Sequence, residues 1–162
     1  MADSLFIDAN ADKQQIYHSL LPQIDSLVQG ESNTISNLAN VAAALRETFG
    51  WWWVGFYLVE GQTLVLGPFQ GPIACTRIAH GRGVCGSAWQ QQKTLYVPDV
   101  EKFEGHIACS SKSVAEIVVP LYDCNNQIVA VLDVDSERYD VLDEVDVKNL
   151  NTLAEQLRTI WS

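Results

Sequence analysis

Residues 51–59 read Trp51-Trp52-Trp53-Val54-Gly55-Phe56-Tyr57-Leu58-Val59, and the fold turns on them. The run is dense in aromatic and β-branched side chains, the composition of a pleated, half-buried strand. Period-two alternation assigns Trp51, Trp53, Gly55 and Tyr57 to one face. Upstream the period is helical. Ile16, Leu20, Ile24 and Leu27 recur at helical spacing, and Pro22 is expected to kink or shorten that helix. A second helix is capped by Asn33, carries Ile35, Leu38, Ala42 and Leu45 as its apolar stripe, and stops at Gly50.

Downstream, Glu60-Gly61-Gln62 is a turn and residues 63–66 return as a second strand. Residues 67–116 behave otherwise, because glycines and polar residues interrupt every periodic run; a short helix is expected from Gly83 to about Trp89. Residues 117–121 and 128–134 then form a strand pair around the turn at 123–126. A last helix spans about 143–161, with Val147, Leu150, Leu153, Ala154, Leu157 and Ile160 as its stripe. The expected architecture is α+β, one domain over residues 1–162. Its mainly antiparallel sheet has the N- and C-terminal helices on one face, and the 67–116 segment covers a pocket on the other.

Bulk properties narrow the function. With 162 residues, 48% apolar content and 19% charged content, the chain has enough apolar surface for one sizeable core. The net charge of −10 repels phosphate, so neither nucleic acid nor an anionic membrane is an expected partner. Residues 1–10 lack a basic segment followed by a long apolar run, and no apolar stretch is long enough for a membrane span. The expected location is the cytosol, which keeps thiols reduced.

Four cysteines, Cys75, Cys85, Cys109 and Cys124, contain no Cys-x-x-Cys pair, so a structural zinc site is a poor reading and no metal is expected. A static disulfide framework is equally out of place in that compartment. The thiols are inert filler or reactive groups, and three of them in one glycine-rich segment favour redox chemistry. The helix expected near Cys85 argues locally for a stabilised thiolate there. His106, three residues before Cys109, argues for that thiol on a local turn. Cys124 sits in a turn and has little claim to a role.

Asp133 and Asp135 alternate onto one face of a strand, and Glu116 begins the neighbouring one. If the strands pair through their turn, three carboxylates meet at one end of the sheet. A bound cation or a shared proton would then relieve their repulsion. Otherwise the acids merely mark where strands reach water. Trp53 and Tyr57 share a face and are core residues or, beside the acids, the wall of a pocket. His18 and His80 read as surface residues, and Gly81-Arg82-Gly83 is too isolated for a phosphate loop.

Several motifs occur in order: Gly67-Pro68-Phe69-Gln70-Gly71, Ala74-Cys75, Gly81-Arg82-Gly83-Val84-Cys85-Gly86, Asp99-Val100, Gly105-His106-Ile107-Ala108-Cys109, Glu116-Ile117-Val118-Val119-Pro120-Leu121 and Leu132-Asp133-Val134-Asp135-Ser136. Over nearly the whole chain this set resembles the free methionine-(R)-sulfoxide reductases, single-domain members of the GAF fold. The resemblance implies Cys109 as nucleophile, Cys75 as the main resolving cysteine and Cys85 as a third able to pair with the nucleophile. It implies Glu116, Asp133, Asp135, Trp53 and Tyr57 as the substrate-binding set. It further implies no bound cofactor, recycling by thioredoxin, thioredoxin reductase and NADPH, and a homodimer, with which an exposed Trp161 is compatible. Ser110 stands where the family pattern has an acid, and Ala115 where it has a serine. Two rival readings are a GAF module that senses a small ligand without chemistry, and a redox sensor that signals through a disulfide.

Overall fold

In the computed structural model, which describes residues 4–107, 109 and 111–161, each long helix starts on a side-chain cap. Asp12 and Gln15 close a capping box on α1 (Lys13–Val28), Asn33 accepts from the Ser36 N–H to start α2 (Thr34–Phe49), and Gly50, at φ 64°, ends it. Asp143 and Asp146 form a second capping box on α4 (Glu144–Gln156), which tightens into a 3-10 turn at Leu157–Trp161. Of the sequence expectations, those concerning Ala108 and Ser110 lie outside the described residues.

Between these helices lie β1 (Trp53–Glu60), β2 (Thr63–Gln70), β3 (Arg77–Ala79), α3 (Gly83–Gln91), β4 (Leu95–Val97), a 3-10 turn at Val100–Lys102, β5 (Ala115–Tyr122) and β6 (Ile128–Ser136). The strands form one six-stranded sheet in the order β3-β2-β1-β6-β5-β4, with every pairing antiparallel. The α+β architecture expected from the sequence is therefore present. α1, α2 and α4 bury one face of the sheet against Val54, Phe56, Ile117, Val119, Leu132 and Val134. The opposite face presents Trp53, Tyr57, Val118 and Val131, packed against Val84, Cys85 and Ala88 of α3. Among the described residues, no helix is long and apolar enough to cross a membrane.

Five local expectations change. Pro22 neither ends nor shortens α1, which runs on to Val28 because Leu20, Leu21, Ile24 and Val28 are buried on the core. Ile35 is exposed, and Val41 takes its place in the buried stripe of α2. Trp51 precedes β1, so strand alternation does not govern it. It stacks on Phe49 at 4.4 Å in the helical-side core, not beside Trp53. The segment expected to be irregular contains the end of β2 and the short strands β3 and β4. Trp161 is half-buried against the helical core instead of exposed.

Candidate functional site

The site stands on the sheet face away from the long helices. Register explains why its acids meet. Glu116 lies directly opposite Asp135, and Val118 opposite Asp133, across the β5–β6 ladder. On the other side of β6, Gly55 faces Asp133 and Trp53 faces Asp135. Because alternate residues share a face, Glu116, Asp133, Asp135, Trp53 and Tyr57 all project into one pocket. Cys85 from α3, with His106, Ile107, Cys109 and Ser113 from the loop before β5, completes much of its wall.

Small residues make room for this arrangement. A Cβ on Gly55 would come within 2.3 Å of Phe69 Cβ, so only glycine lets β2 close over β1 there. Phe69 then stacks on Trp53 at 5.2 Å, and Trp53 on Tyr57 at 5.9 Å. The polar ends of both pocket aromatics hold the next loop. Trp53 Nε1 donates to the Pro72 carbonyl at 3.1 Å, and Tyr57 Oη donates to the Cys75 carbonyl at 2.9 Å. These bonds fix the segment carrying Cys75, whose sulfur forms a disulfide with the pocket-lining Cys109, with 5.5 Å between their Cα atoms.

The carboxylates are deeply buried, with Glu116 and Asp133 each only 6% exposed. Burial pushes the Glu116 carboxyl well above its usual range, and the charges of Asp133 and Asp135 push it further. Asp135 is raised for the same reasons, burial first and Asp133 second, while a 2.6 Å hydrogen bond from the Ser113 hydroxyl favours its charged form. Burial also raises Asp133, whose Oδ1 has no hydrogen-bond partner among the described residues. The cluster therefore holds its protons to higher pH than ordinary carboxylates do. His106 Nε2 lies 3.9 Å from Glu116 Oε2, and burial lowers the imidazole's pKa, so it adds little positive charge.

The helix-dipole argument for Cys85 does not survive. Its thiol is fully enclosed and pushed well above its ordinary pKa, first by burial and then by Asp133, Glu116 and Asp135. Burial, with the acid cluster beside it, outweighs one short helix's N-terminus. Cys85 remains a thiol, 3.8 Å from Glu116 Oε1. Cys124 is exposed in the β5–β6 turn, remote from the pocket lining. His18 and His80 are exposed, as expected.

Every residue that the sequence proposed for the site thus lines it or, for Cys75, is bonded to a residue that does. Ser113 was not legible in the sequence, and His106, expected beside Cys109, lines the same pocket and also lies against Glu116. A serine within a loop carries no periodic signal. Only the ladder register shows that it ends above Asp135.

Residues 34–161 match the GAF domain family. The chain is 60% identical over 97% of its length to GAF domain-containing protein A of Dictyostelium discoideum, covering 99% of that protein. It is 44% identical over 92% of its length to the free methionine-R-sulfoxide reductase of Escherichia coli, covering 90% of it. Among solved structures it resembles a free methionine-R-sulfoxide reductase from Neisseria meningitidis in complex with its substrate. That likeness has a TM-score of 0.94 and 51% identity, and covers 98% of this chain and 95% of the other.

Proposed function

Because the chain belongs to the GAF-domain family of free methionine-R-sulfoxide reductases, we propose that its pocket reduces free methionine-(R)-sulfoxide to methionine at the Cys109 sulfur. The observation that carries this reading is the Cys75–Cys109 disulfide set against a floor of protonatable carboxyls. A sulfoxide has an electrophilic sulfur and an oxygen that leaves poorly unless protonated. A carboxyl whose pKa is raised can supply that proton at neutral pH.

The Cys109 thiolate attacks the sulfoxide sulfur as the oxygen takes the proton. The oxygen passes to Cys109 as sulfenic acid, and methionine, reduced by two electrons, departs. The Cys75 thiol then attacks the sulfenic sulfur, releasing water and forming the disulfide. An external dithiol of the thioredoxin type, itself reduced through NADPH and thioredoxin reductase, restores both thiols. Cys85 is the reserve partner in this scheme, since its raised pKa makes it the slower nucleophile.

The charge left on the acid cluster holds the substrate's ammonium, with Trp53 and Tyr57 beside it as an aromatic wall. A methionine sulfoxide within a polypeptide has no ammonium to offer, which supports a preference for the free amino acid. The same acidity disfavours a phosphate-bearing ligand, the main alternative for a GAF pocket. The whole chain acts as one catalytic unit in a reducing compartment, as a homodimer without a bound cofactor.

The direct test supplies purified chain with thioredoxin, thioredoxin reductase and NADPH. Free methionine-(R)-sulfoxide should drive NADPH consumption, and Cys109→Ser should not. NADPH consumption by Cys109→Ser at the wild-type rate overturns the assignment.

A further inference from the structure

The pocket floor also brings a thiol and two carboxylates together in a way that sulfoxide reduction alone does not require. The Cys85 sulfur, a Glu116 oxygen and an Asp133 oxygen lie within 4.8 Å of one another, all on buried residues. Cys85 Sγ is 3.8 Å from Glu116 Oε1. Asp133 Oδ1 is buried in the same place and has no hydrogen-bond partner among the described residues. A tetrahedral zinc ion, with bonds of about 2.3 Å to sulfur and about 2.0 Å to oxygen, separates its ligand atoms by roughly 3.5 Å. The three donors thus need only small shifts to share one ion. His106 Nε2, 3.9 Å from Glu116 Oε2, is close enough to add a nitrogen donor.

We propose that Cys85, Glu116 and Asp133 form a binding site for a thiophilic divalent cation of the zinc class. The donor set is mixed sulfur and carboxylate, which suits Zn2+ or Cd2+ and is a poor match for Mg2+ or Ca2+. Coordination transfers the Cys85 thiol proton, and any proton held on the Glu116 and Asp133 carboxyls, to solvent and involves no oxidation. It supplies two positive charges to a cluster that otherwise holds unpaired negative charge, and gives the orphaned Asp133 oxygen a partner. The ion occupies the floor that a substrate ammonium would need. Only this last consequence, competition with substrate, rests on the reductase reading; binding does not.

The test uses the full chain in its oxidised form, where the Cys75–Cys109 disulfide leaves Cys85 and Cys124 as the free thiols. Cd2+ is titrated in, and the thiolate-to-cadmium charge-transfer absorbance is followed. One equivalent should bind, and at least one proton should be released per ion. The band should persist in Cys124→Ser, vanish in Cys85→Ser, and be displaced by Zn2+. Asp133→Asn keeps the thiol and should weaken Cd2+ at least tenfold, an outcome that stands even if Cys85→Ser does not fold. Absence of a band, its survival in Cys85→Ser, its loss in Cys124→Ser, or unchanged affinity in Asp133→Asn each overturns the proposal. No turnover is measured, so a negative result here leaves the reductase assignment untouched, and the reverse holds as well.

Discussion

Two buried carboxylate sites lie on opposite sides of the sheet and are built on opposite plans. On the helical side, Asp146 is fully buried, yet its oxygens are all engaged. Tyr17 Oη donates to Oδ1 at 2.6 Å, Lys13 Nζ to Oδ2 at 2.7 Å, and the Asp143 N–H to Oδ2 at 2.9 Å. Lys13 also reaches Asp143 and the Val141 carbonyl, so one lysine ties α1 to the start of α4. On the pocket side, Asp133 is nearly as deep and has an oxygen with no partner among the described residues, and its neighbours are two more acids and a thiol. Burying a charge is tolerable when its hydrogen bonds are supplied from within. The first site is therefore structural. The second stays unsatisfied until something enters, which is the condition of a binding site.

The comparison breaks most visibly at Cys109. Under reducing conditions Cys109→Ser should melt within a degree or two of the wild type, yet lose turnover by about a thousandfold or more, read by coupled NADPH oxidation. Lys13→Met should do the opposite. Leaving Asp146 short of its cation should lower stability by about 3 kcal/mol in urea unfolding, while turnover per folded molecule is unchanged. Glu116→Gln removes one carboxyl but keeps the shape, and should lower kcat/KM on the order of a hundredfold in steady-state assays.

Asp133→Asn sharpens the contrast with Asp146. The folded-state pKa values of the pocket acids lie above their unfolded values, so the folded protein binds more protons than the unfolded chain. Their contribution to stability is thus lost as pH rises from the ordinary carboxylate range toward the raised values. Removing one acid should stabilise the substrate-free protein by about 1 kcal/mol near neutral pH and by less in acid, as thermal melts at both conditions would show. The smallest effect is expected for Tyr57→Phe. It deletes the bond to the Cys75 carbonyl but keeps the ring, and should slow disulfide closure about threefold to tenfold while the first methionine appears at its usual rate. Rapid-quench thiol counting separates the two steps.

Sequence periodicity carried most of this frame. Asn33, Gly50 and Asp143 announced helix ends because capping is a local interaction. The acid cluster was legible because period-two alternation and one tight turn determine which strand residues meet. β3 and β4, three residues each, are too short to show a period, and only their neighbours make them strands. The Cys75–Cys109 pairing spans 34 residues of loop and short elements, a distance over which spacing says nothing; it was expected from family resemblance alone. Cys85 shows the limit most clearly. Its own helix predicts a thiolate, and burial, with acids from two distant strands, reverses that.

The central claim is that the unsatisfied acids and Cys109 act together on a free amino acid. A single-turnover experiment without external reductant tests it most directly. Reduced chain is mixed with one equivalent of methionine-(R)-sulfoxide, either free or within a blocked peptide, and methionine and protein thiols are counted. The account predicts one methionine released per chain from the free substrate, loss of two thiols with a Cys75–Cys109 disulfide recovered by mass spectrometry, and no release from the peptide. Equal release from both substrates, or loss of the thiols without methionine, would contradict it.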